Sequence, residues 1–134
     1  MNSSRKLSEK TKNILEKVRE SISHENRTPF AFLFGSYAEG RETVLSDIDI
    51  AIYFNGMDEE EKMDYEHRLW LAFDEQVNVL RLEDEDISPM VKHRAIEGIP
   101  IIVSDEDLLN RFILSIIHRA TEAEIVLGRL RKIS

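Results

Sequence analysis

The chain has 134 residues, which is the size of one domain, and we expect residues 1–134 to form a single domain. Hydrophobic residues make up 42% of it and charged residues 33%, a composition that supports a core and excludes the disordered class. The net charge of −8 argues against direct binding to nucleic acid or to an anionic membrane surface, because both are polyanions. The absence of cysteine excludes disulfides, thiolate metal ligands and a cysteine nucleophile.

The first part of the chain predicts a helix and then a buried strand. Leu15, Val18 and Ile22 recur at helical spacing among Lys and Glu residues, which indicates an amphipathic helix over about residues 7–22. Ser8 is a suitable cap for its start. Beyond a break at residues 26–29, the run FAFLF at Phe30–Phe34 predicts a short strand.

The middle of the chain predicts two strands around a helix. The segment Asp47–Phe54 alternates acidic and apolar residues and then becomes wholly apolar, as in a strand that is polar on one face only at its start. Met57–Asp74 is rich in Glu, Lys, Leu and Ala and predicts a helix with acidic first turns. The run VNVLRL at Val77–Leu82 predicts a third strand.

The last part predicts a short helix, a strand and a long helix. Ser88–Glu97 has a capping serine and ends before Gly98, and Ile99–Val103 contains a proline that favours an edge strand. The final helix, over about residues 105–130, has an apolar surface wider than one stripe, so it either seals the core or presents a partner surface. The alternation of strands and helices predicts an α/β or α+β fold with a small sheet.

Two carboxylates are the first candidate for chemistry. Asp47 and Asp49 are two apart on a predicted strand, so their side chains leave the same face about 6.6–7 Å apart along the backbone. Both can converge on one hard cation, and Mg²⁺ commonly takes one or two carboxylates together with substrate phosphates. Considered alone, however, an Asp-x-Asp pair is usually a solvated strand end.

A phosphate-binding turn is the second candidate. Gly35 and Ser36 follow a buried strand, where a glycine permits close backbone approach and a serine hydroxyl offers a phosphate contact. Arg41 lies just beyond and can reach a phosphate. Each of these features alone is more often an ordinary turn or surface residue, but their combination with the two carboxylates is much less probable by chance.

The stretch FGSYAEGRETVLSDIDIAIYF resembles the signature of the minimal nucleotidyltransferases of the DNA polymerase beta-like superfamily. Gly35 and Ser36 are followed after ten residues by Asp47-Ile48-Asp49, and a weaker resemblance continues to the last strand. The resemblance implies a fold with a small mixed sheet flanked by helices. It also implies an activity, the Mg²⁺-dependent transfer of a nucleoside monophosphate from a nucleoside triphosphate. Many members are antitoxins encoded beside a HEPN-type ribonuclease toxin, and some add AMP to a tyrosine of that toxin.

The resemblance also implies roles for particular residues. Asp47 and Asp49 would ligate Mg²⁺, while Gly35, Ser36 and Arg41 would bind the nucleotide. The third carboxylate of the family lies on a later strand that usually reads Val-Asp-Leu-Val-Asp-Leu.

The matching strand here lacks both acids of that pattern. Asn78 occupies the third catalytic position, where a neutral amide can offer an oxygen to a metal but cannot act as a base. A working enzyme must therefore tolerate Asn78 or recruit another acid, such as Asp74, Glu75 or Glu83.

Three functions remain open. The first is transfer of AMP from ATP to a hydroxyl, expected to be tyrosine, of a HEPN-type toxin with which the chain forms a cytoplasmic hetero-oligomer. The alternative is a catalytically weak or inactive nucleotide-binding antitoxin that neutralises its toxin by contact. A more distant third is a small-molecule nucleotidyltransferase with an aminoglycoside-like acceptor.

Other conspicuous residues have ordinary interpretations. Trp70 is expected on the core face of the middle helix, with base stacking as the less favoured alternative. Tyr37 either lines the nucleotide pocket or packs, and the acidic run Glu83–Asp86 is expected to be a solvated loop. The histidines lack metal-ligand spacing and are expected to be surface or satisfied residues: His24, His67, His93 and His118.

Overall fold

The computed structural model describes residues 7–22 and 26–133, with side chains as far as residue 119. These residues form the predicted strands and helices within a few residues of the predicted bounds. The helices are α1 (Glu9–Ile22), α2 (Ser36–Glu39), α3 (Glu59–Ala72), α4 (Pro89–Ile96) and α5 (Glu106–Ile133). The strands are β1 (Phe30–Phe34), β2 (Ile48–Tyr53), β3 (Val77–Arg81) and β4 (Ile99–Val103). His24 lies outside the described residues.

The four strands form one mixed sheet in the order β3-β2-β1-β4. β1 is antiparallel to both β2 and β4, whereas β2 and β3 are parallel. The predicted small mixed sheet flanked by helices is therefore confirmed. Pro100 lies on an edge strand, as predicted, which is where a sheet tolerates a residue without an N–H.

One face of the sheet packs against α1 and α3. The apolar stripe of α1, including Ile14 and Val18, meets inward residues of the strands such as Ile50, and Leu69 of α3 is fully buried among them. Trp70 is 50% exposed, so its predicted place on the core face is wrong. Its neighbour Leu69 takes the inward position, and one residue along a helix turns the side chain about 100° away.

The other face packs against α4 and α5. Phe30 and Phe32 form the centre of this cluster, and the ring of Phe112 from α5 lies 5.4 Å from that of Phe30. Ile116 is buried whereas Leu114 is 68% exposed, so α5 combines a core face with an exposed apolar one. The prediction that the helix seals the core is therefore confirmed for the face that carries Ile116, and a partner surface on the other face stays a prediction.

A glycine permits the close junction between α4 and the sheet. A Cβ atom at Gly98 would collide with the main-chain carbonyl of Leu33 in β1. Gly98 therefore lets β4 begin directly alongside β1. Within the described ranges, no helix has the length and apolar character needed to cross a membrane.

Candidate active site

Two carboxylates and one amide meet at one end of β2. Asp47 precedes this strand and Asp49 lies within it, while Asn78 of β3 is the register partner of Asp49. The Nδ2 atom of Asn78 donates to Oδ2 of Asp47 at 3.3 Å and to Oδ1 of Asp49 at 3.1 Å. Three candidate residues from two segments thus form one cluster, in which Asp47 and Asn78 are exposed and Asp49 is half-buried.

Gly35 lies against this cluster from the side of β1. Its φ of 75° is in the left-handed region that favours glycine, and a Cβ atom there would collide with the carboxylate of Asp49. The register pair Phe34 and Asp49 brings the two segments together. Gly35 therefore permits the backbone conformation of the turn and also leaves room for the carboxylate of Asp49.

The residues after Gly35 form the short helix α2. Ser36 begins it, and its carbonyl accepts a hydrogen bond from the backbone N–H of Arg41 at 2.9 Å. Tyr37 is only 2% exposed and belongs to the core cluster under α1, which favours the packing interpretation over a pocket wall.

Arg41 lines a cavity of about 740 Å³ next to Gly35. Its guanidinium is paired with the carboxylate of Glu39, so it is oriented by the segment that carries Gly35 and Ser36. Arg94, from the last turn of α4, lines the same cavity. Arg94 was not a candidate from the sequence, because no local motif relates the end of α4 to a turn more than fifty residues earlier in the chain.

The cluster fits a single oxygen-preferring cation. One oxygen from each of Asp47 and Asp49 already points to a common donor, the Asn78 amide, and carboxylates are the ligands that Mg²⁺ prefers. Across the described part of the chain, no group of three or more His, Cys, Asp or Glu residues is arranged to hold a metal. Asp47 and Asp49 are the two acidic residues of the cluster and would be the charged ligands of a bound Mg²⁺.

Gln76 orients the amide of Asn78. Its Nε2 donates to Oδ1 of Asn78 at 3.3 Å, which leaves the NH₂ group of Asn78 facing the carboxylates. This residue was not among the sequence candidates. A polar residue two positions before Asn78 in the same extended segment was the available signal, because such residues share a face.

Two of the acids considered as replacements for the third carboxylate are already paired. Glu75 forms an ion pair with Lys10. The hydrogen bond between them lowers the pKa of the Glu75 carboxyl and raises the pKa of the Lys10 ammonium. Glu83 accepts from Lys62 at 2.9 Å and from the backbone N–H of Phe54 at 3.0 Å. The prediction of a solvated loop is therefore wrong for Glu83.

Arg81 occupies the position of the second aspartate in the family's Val-Asp-Leu-Val-Asp-Leu strand, and here it forms an ion pair with α3. Its guanidinium donates to both carboxylate oxygens of Glu66 at 2.8 and 2.9 Å and also binds Glu59. These hydrogen bonds, with Glu66 first, raise the pKa of Arg81. Arg81 therefore joins β3 to α3 on the face opposite Asn78.

A second cavity, of about 620 Å³, lies along the edge strand β3. Asn78 and Gln76 line one part of it, and Trp70, Phe73 and Asp74 line another. Of the acids considered as replacements, Asp74 is exposed in this cavity together with Asn78. The carboxylate cluster thus has a cavity next to Gly35 and another beside Asn78.

Comparisons with known proteins identify the sequence family and similar folds. The sequence family described as polymerase beta nucleotidyltransferase matches residues 16–107, whereas no curated protein sequence matches significantly. A chain in a crystal structure of a toxin–antitoxin with AMP-PNP is similar at 20% identity and a TM-score of 0.63, over 89% of this chain and 97% of that one.

A chain in the structure of a tri-AMPylated Shewanella oneidensis HEPN toxin in complex with MNT antitoxin is also similar. It gives 17% identity and a TM-score of 0.63 over 90% of this chain and 98% of that chain. At sequence identities this low, the structural similarity shows only that the fold is shared. The sequence match, which spans more than half of the chain and includes Gly35, Asp47, Asp49 and Asn78, shows that the protein belongs to the polymerase beta nucleotidyltransferase family.

Proposed function

We propose that this protein is a nucleotidyltransferase-type antitoxin that transfers AMP from ATP to a hydroxyl, expected to be a tyrosine, of a HEPN-type toxin. The observation that carries the proposal is the meeting of Asp47, Asp49 and Asn78 directly beside Gly35. This arrangement combines carboxylates suited to a nucleotide-bound cation with a turn suited to phosphate.

The similar structures support the choice of partner and donor. One of them contains a toxin–antitoxin with AMP-PNP, and another contains a tri-AMPylated HEPN toxin in complex with MNT antitoxin. The exposed apolar side of α5, at Leu114, provides a surface of the kind that a protein partner covers.

The proposed reaction assigns separate tasks to the residues of the cluster. Gly35, Ser36 and Arg41 would bind the triphosphate, and Asp47 and Asp49 would hold Mg²⁺. When bound, Mg²⁺ would offset the negative charge of the phosphates. The acceptor oxygen forms a bond to the α-phosphorus, the bond from that phosphorus to pyrophosphate breaks, and the hydroxyl proton passes to solvent.

Asn78 limits this chemistry. Its amide is neutral and cannot accept the hydroxyl proton, so acceptor activation is weaker than with a carboxylate. This observation favours a second candidate function, in which the chain binds nucleotide but neutralises its toxin by contact.

Intact-mass spectrometry of the partner toxin distinguishes the two functions. The toxin encoded beside this chain is incubated with the protein, ATP and Mg²⁺, and an Asp47→Ala, Asp49→Ala variant is the control. We expect a mass gain of one or more AMP groups that the control lacks. An unchanged mass, together with a stable complex and an inhibited toxin, would contradict transfer and favour neutralisation by contact.

A further inference from the structure

The cavity of about 740 Å³ beside Gly35, which we call the Gly35 cavity, lies between two distant parts of the chain. Gly35 and Arg41 line one side of it, and Arg94 and Gly98 line the other. The two sides are close because α4 ends against β1, where Gly98 has no room for a Cβ atom beside the carbonyl of Leu33. The cavity therefore joins the end of α4 to the turn that follows β1.

The Gly35 cavity adjoins the carboxylate cluster on the same face of the sheet. Asp49 is the register partner of Phe34, and directly paired residues of neighbouring strands project to the same face. Phe34 packs with Phe30 and Phe32 in the part of the core that α4 and α5 cover, so Asp49 lies on the face where α4 packs. A Cβ atom at Gly35 would collide with the carboxylate of Asp49, and Gly35 also lines the cavity. A ligand held at Asp49 can therefore extend past Gly35 into the cavity.

The charges that line the Gly35 cavity leave one guanidinium available to an anion. Arg41 is paired with Glu39, and Glu97 lies 3.0 Å from the imidazole of His93, one turn earlier on α4. Arg94 is exposed and forms no hydrogen bond or ion pair with any residue of the described ranges. Both acids of the lining thus have a partner, whereas the charge of Arg94 is not neutralised by a contact within those ranges.

A guanidinium suits the terminal phosphates of a nucleoside triphosphate. Its planar fork of N–H donors matches two phosphate oxygens at once, and it remains charged at physiological pH. A cation at Asp47 and Asp49 would offset only part of the charge of a triphosphate. The remaining charge lies on the phosphates that extend away from the carboxylates, and Arg94 lines the cavity that begins at Gly35.

We propose that Arg94 binds the two terminal phosphates of the nucleotide and stabilises the pyrophosphate that leaves. As the acceptor oxygen bonds to the α-phosphorus, the electron pair of the broken bond passes to the bridging oxygen of pyrophosphate, and the guanidinium offsets the added charge. Arg94 is then a catalytic residue outside the motif that contains Gly35, Asp47 and Asp49. The inference rests on the proposed transfer of AMP, because that reaction releases pyrophosphate.

Titration calorimetry with Mg²⁺ and two ligands, AMP-PNP and inorganic pyrophosphate, tests this assignment without a toxin. Arg94→Gln should weaken the binding of both ligands about tenfold, because it removes a charge-assisted fork from the part that the two ligands share. Arg94→Lys should restore part of the affinity, since it keeps the charge and loses the fork. Arg111→Gln is the matched control, because Arg111 is an exposed arginine of α5 that does not line the cavity.

The titration and a thermal melt separate phosphate binding from other roles of Arg94. Equal affinities of Arg94→Gln and Arg111→Gln would overturn the proposal. A loss of affinity for AMP-PNP alone would also overturn it, because Arg94 would then contact the nucleoside. Arg94 lies in the last turn of α4, where a cation favours the helix dipole. We expect the melting temperature of Arg94→Gln to stay near wild type, and a clear drop together with the lost affinity would assign Arg94 a structural role instead.

Intact-mass kinetics with the partner toxin separate failure of this assignment from failure of the proposed function. If the wild type transfers AMP, Arg94→Gln should lower kcat at saturating ATP about tenfold. Equal kcat values for Arg94→Gln and Arg111→Gln would overturn the role in pyrophosphate release and leave the proposed function standing. If the wild type binds both ligands and transfers nothing, the proposed function is wrong, and the titration still decides whether Arg94 binds the terminal phosphates. If the wild type binds neither ligand, both proposals are wrong.

Discussion

Asn78 determines how much negative charge the cluster contains. Its NH₂ group donates to one oxygen of Asp47 and one of Asp49, so it draws together two carboxylates that would otherwise repel each other. Gln76 keeps the amide in that orientation. The amide of Asn78 thus offsets part of the repulsion between the two carboxylates.

Replacement of Asn78 by aspartate should make the stability of the protein depend more strongly on a bound divalent cation. Without divalent cations, Asn78→Asp should lower the free energy of unfolding by about 1 kcal/mol, because a third carboxylate replaces a donor. Added Mg²⁺ should raise its melting temperature more than that of the wild type, and AMP transfer should increase. Thermal melts with and without Mg²⁺ test this, with Asn78→Ala as control. An equal Mg²⁺ response of both variants would contradict it.

The importance of the contact between Gly35 and Asp49 can be tested by comparison with Gly56, which has the same backbone conformation and no atom near the position of a Cβ. Gly35 and Gly56 both have φ of 75°, yet a Cβ atom at Gly56 has nothing within 4 Å. Gly56→Ala should therefore cost only the backbone strain, about 1 kcal/mol, whereas Gly35→Ala should cost more and should also displace Asp49. Denaturant unfolding and Mg²⁺-dependent nucleotide binding measure the difference. Equal stability and equal nucleotide binding in the two variants would show that the Asp49 contact is unimportant.

At the scale of elements, α3 is attached to β3 by an ion pair as well as by its apolar side chains. The side chains of Arg81 and Glu66 are both largely buried, and their two hydrogen bonds form a fork-like pair. The pair fixes β3 relative to the helix that carries Trp70.

Removal of one charge from this pair should be clearly destabilising. Glu66→Gln should lower the free energy of unfolding by about 1–2 kcal/mol, because the guanidinium of Arg81 loses a charged partner in a partly buried place. Glu60→Gln, an exposed position on the same helix, should change stability by less than about 0.5 kcal/mol. Urea unfolding of the two variants tests the comparison. Similar midpoints would mean that the Arg81 pair contributes little.

At the scale of the whole molecule, the hydrophobic pattern predicted the fold and the spacing of the motif predicted the cluster. The run at Phe30–Phe34 and the capping signals at Ser8 and Ser88 are local features, and the structure contains the corresponding strand and hydrogen bonds. Asp47 and Asp49 point to a common place because the period of a strand is two residues.

What the sequence did not predict depends on contacts between distant segments. The exposure of Trp70 follows from which neighbour on α3 reaches the sheet, and the pairing of Glu83 requires Lys62 from that helix. Lys92 is buried on α4, where burial lowers its pKa, although a lysine normally indicates an exposed position. Arg94 joins the cavity beside Gly35 only because α4 ends next to β1.

The central claim is that Asp47, Asp49 and Gly35 form a nucleotide site that depends on a divalent cation. Isothermal titration of the purified chain with AMP-PNP, with and without Mg²⁺, tests this claim most directly, because it requires neither a toxin nor turnover. The account predicts binding with Mg²⁺ that is lost on chelation and in Asp47→Asn, Asp49→Asn. Equal binding without Mg²⁺, or unimpaired binding by that variant, would contradict it.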